Sequence, residues 1–443
     1  MAQFERSNKP VPEPGVVAPA AAASTPVLWL FSILAGALAA GAVIVFRALI
    51  SGMEWLSTGH VGSLVEAARS LPPWHRVLVG SVGGLLAGLV LHWGQRWAER
   101  GPDGAVNLDY IEAARASRVD LNNRTTLVRS ISSLLSVSTG ASIGREGPMV
   151  QLGAWLAAKL AHVAPLSAGQ RSVLLACGIA AGIGSAYHAP VAGVVFVLEL
   201  ALGFLATQTV APVLISSATA AVLMYGLVDP APLYAMPTVK LVSSSLGMAL
   251  LAGLVCGGLG WAMLALVERG RASFGRIPSL PLRLGAGGVL VGLLSAFVPE
   301  VWGNGYSTIS HLLQGGSPWT WVLLILLTKF VATLLSTGSG AVGGMFTPTL
   351  FVGATSGYLI ALVMAFWLPL AWVGDPRTLA VIGMAAMLTA VTHAPLMAIV
   401  MVLEMTNQFQ LTVPVMLACG VAHAVSTQFG AKPMYGNPIE AHN

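Results

Sequence analysis

Residues 178–204, GIAAGIGSAYHAPVAGVVFVLELALGF, return 205 positions later as residues 383–409, GMAAMLTAVTHAPLMAIVMVLEMTNQF. Eleven of the 27 positions are identical without a gap. They include His188-Ala189-Pro190 on His393-Ala394-Pro395 and Val197-Leu198-Glu199 on Val402-Leu403-Glu404. A chain rich in glycine and alanine matches itself by chance at those two residues, not at His-Ala-Pro followed at a fixed distance by Val-Leu-Glu. A second match, at a shift of 200, sets Leu134, Leu135, Ser136, Gly140, Ala141, Gly144, Pro148, Gly153 and Ala154 on identical residues between 334 and 354. The chain is a duplication. It divides into a Pro/Ala-rich tail (1–26), expected to be disordered and cytoplasmic, a first repeat (27–235) and a second repeat (236–443).

The composition says where such a duplication lives. Only 9% of the 443 residues are charged and 56% are hydrophobic, with mean hydropathy +0.79, whereas a soluble domain carries about 25% charged residues. A soluble enzyme and a disordered scaffold are both excluded. Stretches 172–198, 200–228, 241–267, 301–328, 330–374, 378–403 and 405–431 contain no Asp, Glu, Lys or Arg, and a spanning helix needs about 20 such residues. The expectation is an all-α polytopic membrane protein with on the order of ten full spans and some broken ones. The net charge of +5 is spread too thinly for a nucleic-acid footprint. Its densest parts, 96–129 and Arg269, Arg271, Arg276 and Arg283, read as cytoplasmic loops. The first 26 residues are not expected to act as a signal peptide, because no short apolar core and small-residue cleavage site follow a basic start. Cys177, Cys256 and Cys419 lie in apolar runs and read as small hydrophobes, not as bridges or metal ligands.

Repeated transporter folds place their binding site at the repeat interface, between discontinuous helices. Only 15 uncharged residues separate Arg129 from Arg145, and 12 separate Glu146 from Lys159. Neither stretch spans alone, so Arg145 and Glu146 are expected at depth, at a glycine-rich break. Gly144-Arg145-Glu146-Gly147-Pro148 and its mate Gly343-Gly344-Met345-Phe346-Thr347-Pro348 are the two richest breaks. Glycine allows close backbone approach, and proline near a helix start sacrifices no paired N–H. Free N–H groups and a positive dipole end aimed between half-helices make a site for a small anion, held loosely enough to leave.

Gly144–Pro148 resembles the Gly-Arg-Glu-Gly-Pro signature of the CLC family of chloride channels and chloride/proton antiporters. Gly344–Pro348 resembles its Gly-x-Phe-x-Pro signature, and Lys432-Pro433-Met434-Tyr435 the C-terminal segment carrying the family's pore tyrosine. The stretch 301–308, VWGNGYST, is most similar to the bacterial ClcB-type branch. The resemblance implies inverted-topology repeats with re-entrant helices, a homodimer with one pore per subunit, chloride as the transported ion, no cofactor and no metal. It implies a multi-pass protein of the bacterial inner membrane, sensitive to voltage and pH, and an electrical shunt in acid stress. Glu146 takes the place of the gating glutamate, whose ionised carboxylate blocks an anion site until protonation or chloride displaces it. Backbone N–H groups of Gly147, Met345 and Phe346 and the Tyr435 hydroxyl take the places of chloride ligands. Gly144, Arg145, Pro148, Gly344, Thr347 and Pro348 complete the motifs.

Two departures from the family pattern follow. Its first signature, Gly-Ser-Gly-Ile-Pro, falls here on residues 104–108, so Gly104 and Ala105 stand at the inner gate and the serine is missing. The second glutamate of proton-coupled members is replaced by Leu200, next to Glu199. Leucine relays no proton, which favours a channel over a chloride/proton antiporter, with Glu199 as the remaining candidate for a proton path. Three rival readings concern other chemistry. Ser339, with His393 or His423 as base, suggests an intramembrane serine hydrolase on poor motif specificity. A fluoride exporter is disfavoured by Pro148 and Tyr435. His188 and His393 read as packing at helix ends, because no acids or cysteines accompany them as metal ligands. Arg129, a lone charge in an apolar helix, is expected to need a partner.

Overall fold

The computed structural model describes residues 25–101, 108–201, 207–239 and 245–436. These are almost entirely helical, and their one β contact is an isolated antiparallel bridge between Gly144 and Gly344. Eight helices are long and apolar enough to cross a membrane. The longest, Thr25–Thr58, has 34 residues and so extends about 51 Å. That exceeds a hydrocarbon core of about 30 Å, so the helix is long enough to span it even when tilted.

The two halves use the same packing. Glu146–Val163 lies on Ala168–Tyr187 in the first half as Phe346–Met364 lies on Pro376–Thr392 in the second. Thr25–Thr58 contacts both Ala168–Tyr187 and Thr207–Leu227; Ser245–Phe274 likewise contacts Pro376–Thr392 and Thr412–Gln428. Among the described residues the eight long helices are joined by shorter apolar helices, and the reason some runs are broken is local. The runs 172–198 and 378–403 each turn sharply at the shared histidine. His188 (φ 54°) and His393 (φ 56°) are left-handed, a conformation that closes a helix with one more backbone bond. Proline two residues on forces Ala189 and Ala394 out of the α region. Pro190 and Pro395 then open new helices, Pro190–Phe196 and Pro395–Thr406. Both histidines thus terminate helices.

Across the repeats, the contacts are reciprocal. The Glu404 carboxylate accepts the backbone N–H groups of Val191 (3.1 Å) and Ala192 (2.7 Å). Its mate Glu199 accepts those of Leu396 (3.2 Å) and Met397 (2.7 Å). Each residue contacts the repeat mate of the residue that its own mate contacts, which is the signature of a two-fold relation. Each carboxylate satisfies N–H groups that a helix start leaves unpaired. Glu199 reaches its target from a π-helical turn, Val197–Ala201, of the kind that enlarges a helix locally.

The tightest crossing within the second half lies between Phe346–Met364 and Pro376–Thr392. A methyl group built on Gly357 would stand 1.9 Å from the Leu379 carbonyl oxygen, whereas one on Gly258 meets nothing within 4 Å. Gly357→Ala is therefore expected to cost about 1–3 kcal/mol by overpacking. Gly258→Ala should be neutral or mildly stabilising. Thermal unfolding in detergent compares the two, and equal melting temperatures would contradict this packing.

Candidate anion pathway

The site is built from the two breaks. Helix Asn123–Ser138 ends, the chain crosses residues 139–145, and helix Glu146–Val163 begins. In the second half Trp319–Gly338 ends, residues 339–345 intervene, and Phe346–Met364 begins. At matched positions the intervening segments bond to each other. The Gly144 N–H donates to the Gly344 carbonyl (2.7 Å) and the Gly344 N–H to the Gly144 carbonyl (2.8 Å). Ser142 adds its N–H to Ser336 Oγ at 2.9 Å. A Cβ on Gly144 would meet the Gly344 carbonyl oxygen at 3.0 Å and would displace the Glu146 carboxylate, so glycine here leaves room for both.

Four helix starts stand at these repeat-matched positions, Glu146 with Phe346 and Pro190 with Pro395. Those at Pro190 and Pro395 are answered by Glu404 and Glu199. Those at Glu146 and Phe346 carry no side-chain cap. The first N–H groups of a helix have no carbonyl within it to bond, and Pro148 and Pro348, in each first turn, contribute none. Gly147, Phe346 and Thr347 therefore present backbone donors, with positive dipole ends behind them. Met345 stands at the N-cap of its helix and is buried.

Glu146, the first residue of its helix, is buried. Its Oε1 accepts a hydrogen bond from Asn304 Nδ2 at 2.9 Å, and its Oε2 has no hydrogen-bond partner. Arg145 is not its ion pair: among the described residues the ion pairs are Arg69–Glu300, His162–Asp120 and Arg377–Asp375.

Below Phe346 lies an aromatic cluster. The Phe346 ring stands 5.7 Å from Tyr435, 5.8 Å from Tyr187 and 6.1 Å from Phe196, within the range of favourable offset and tilted arrangements. Tyr435 is held by its backbone. Arg115 Nη1 donates to its carbonyl (2.6 Å), and the preceding Met434 N–H bonds to Val391 O (3.0 Å). Its ring stands edge-on to Phe196 at 6.0 Å. The same Arg115 donates through Nε to Leu200 O at 2.9 Å, so the turn carrying Glu199 and Leu200 and the Tyr435 segment share one anchor. Leu200 itself is buried.

Gly104 and Ala105 lie outside the described residues. Ser339 and the histidines do not meet as a nucleophile and base. The Ser339 hydroxyl donates to Ser336 O, while His393 Nε2 lies 3.2 Å from Ser426 Oγ and its ring abuts His423. Arg129 is exposed. Its mate at a shift of 200, Lys329, is fully buried and donates from Nζ to the carbonyls of Val301 (2.9 Å) and Gly303 (2.6 Å).

Sequence reasoning missed Asn304 and Lys329 as parts of the site. The signals were present: Asn304 sits in the VWGNGYST stretch, and Lys329 is the single charge dividing two uncharged runs.

Comparison with known proteins agrees with this geometry. The voltage gated chloride channel family model matches residues 83–427. A ClcB-like protein of Ralstonia nicotianae is 46% identical over 419 residues, covering 92% of this chain and 95% of the relative. The voltage-gated ClC-type chloride channel ClcB of Escherichia coli O81 is 38% identical over 425 residues, covering 94% and 99%. Among solved structures, a slow cyanobacterial Cl−/H+ antiporter superposes with TM-score 0.81 at 22% identity, covering 93% of this chain and 97% of that one. A CLC-type fluoride/proton antiporter does so with TM-score 0.74 at 24% identity, covering 91% and 96%. Those two share the fold. With the motifs, the family model and the full-length relatives in agreement, the chain belongs to the voltage-gated chloride channel (CLC) family.

Proposed function

We propose that this membrane protein carries out the chloride transport of its family as a channel gated by Glu146. The observation that carries the reading is the pair of uncapped helix starts at Glu146 and Phe346, joined by the Gly144–Gly344 bonds. A permeating anion finds backbone N–H groups there from Gly147, Met345 and Phe346, and the Tyr435 hydroxyl further along the aromatic cluster. One dipole end contributes roughly 0.3–2 kcal/mol, so several must converge to offset dehydration of the ion. Partial charges of this size bind without trapping, which conduction requires. Gly144, Arg145, Pro148, Gly344, Thr347 and Pro348 shape the two breaks.

Glu146 supplies the gate. Its carboxylate opens one of the uncapped helices, and an ionised carboxylate on the N–H groups competes with chloride for the same donors. Protonation removes that competition. A channel is favoured over an antiporter because Leu200 relays no proton and Glu199 is committed to the N–H groups of Leu396 and Met397. The relatives named ClcB are described as channels, which supports the same choice. The inner-gate role expected of Gly104 and Ala105 is retained as part of this reading. The protein is further read as a homodimer of the bacterial inner membrane, each subunit with its own pore, built from repeats 27–235 and 236–443. Each chloride carries one charge, so voltage biases flux by about 2.3 kcal/mol per 100 mV. Such a leak suits an electrical shunt in acid stress.

Glu146→Gln and Glu146→Ala are expected to conduct at all pH values, whereas wild-type flux rises as external pH falls. Chloride efflux from proteoliposomes across a pH series measures this. A Glu146→Gln protein as strongly pH-dependent as the wild type removes Glu146 from the gate.

A further inference from the structure

Asn304 lies outside both glycine-rich breaks, yet it makes the one hydrogen bond that the Glu146 carboxylate has. Its amide orientation follows from its other contact. Asn304 Oδ1 accepts the Tyr306 N–H at 3.1 Å, so the NH2 group must face Glu146. The loop carrying Asn304 is fixed from beneath by Lys329, whose ammonium bonds the carbonyls of Val301 and Gly303 and faces the Phe351 ring. No acid neutralises that ammonium among the described residues. Burying that amine without an acid partner is costly, and its two bonds hold the four-residue loop 302–305, which carries the half-buried Asn304 amide.

The carboxylate, meanwhile, bonds none of the N–H groups of Gly147, Met345, Phe346 or Thr347. It stands beside the uncapped helix starts and off them. The other charged or titratable groups facing it are Arg47 from Thr25–Thr58, Arg145 from the break, Tyr187 from Ala168–Tyr187 and Tyr234 from the segment after Leu227. None of them donates a hydrogen bond to it.

We infer that Asn304 is a docking partner for the displaced gate: it holds the ionised Glu146 carboxylate away from the anion-binding N–H groups. Protonation is then not the sole route to an open pathway. A charged carboxylate leaving the helix starts exchanges backbone donors for the Asn304 amide, so chloride can pass with Glu146 still ionised. Asn304 is a positioning residue, acting through Glu146, and Lys329 positions Asn304. The inference rests on Glu146 being the gate.

The test is chloride efflux from proteoliposomes at neutral and acid pH for Asn304→Asp and Asn304→Leu, each alone and combined with Glu146→Gln. Asn304→Asp keeps the size of the side chain and the acceptor for the Tyr306 N–H, but turns the donor into an acceptor that repels Glu146. Both single variants should lose about tenfold of neutral-pH flux, the scale of one hydrogen bond to a charged group, and recover at acid pH where Glu146 is protonated. In the Glu146→Gln background neither substitution should matter. Unchanged or raised neutral-pH flux in Asn304→Asp overturns the inference, the latter by showing that Asn304 holds the gate shut. An Asn304 effect that persists with Glu146→Gln also overturns it, as a structural effect. If Glu146→Gln alone stays closed at neutral pH, the gate assignment fails, and that outcome is separate from the others.

Discussion

The architecture turns on one reciprocal pair of backbone hydrogen bonds, Gly144 to Gly344 and Gly344 to Gly144. Irregular backbone inside a membrane protein survives only if its polar groups are satisfied within the protein. Here each break satisfies part of the other. Because the bonded residues are repeat mates, the interaction closes on itself only when both halves are present and correctly related. The Glu199 and Glu404 carboxylates apply the same logic one helix further along, each capping a helix start in the opposite half. The duplication thus supplies, from each half, partners for part of the backbone that the other half's broken helices leave open.

That arrangement sorts the helix starts by function. Two are consumed structurally, because a carboxylate occupies their N–H groups. Two are left with donors unanswered by any side chain, and they face each other across the Gly144–Gly344 bonds. Under the proposed function, these unanswered backbone donors are what an anion would meet. In the proposed reading Glu146 competes for that site, and the inference drawn for Asn304 gives its carboxylate a second place to bond.

Much of this was legible in the sequence because the information was periodic. The 205-residue shift located the two His-Ala-Pro turns, and the structure places both histidines in the left-handed conformation that ends a helix. The 200-residue shift located the two breaks and identified Gly144 and Gly344 as mates. What the sequence did not convey was contact between stretches distant in the chain. Nothing in the order of residues says that Glu199 caps Leu396 and Met397 rather than standing free for protons, or that Asn304 reaches Glu146 across 158 positions. The broken spans hide for a related reason: an uncharged run does not reveal that a histidine and a proline fold it into two helices. Arg129 and Lys329 show the same limit. They are matched in sequence, yet one is exposed and the other is the most deeply buried charge in the site.

The central claim is a passive chloride pathway whose second acidic relay has been lost at Leu200. It is tested most directly by the reversal potential of the purified protein in liposomes under a chloride gradient, with and without a superimposed pH gradient. The account predicts a reversal potential that follows chloride alone and does not move when the pH gradient is applied. A reversal potential displaced by the pH gradient would contradict it, and would mean that protons reach Glu146 by a route that bypasses Leu200.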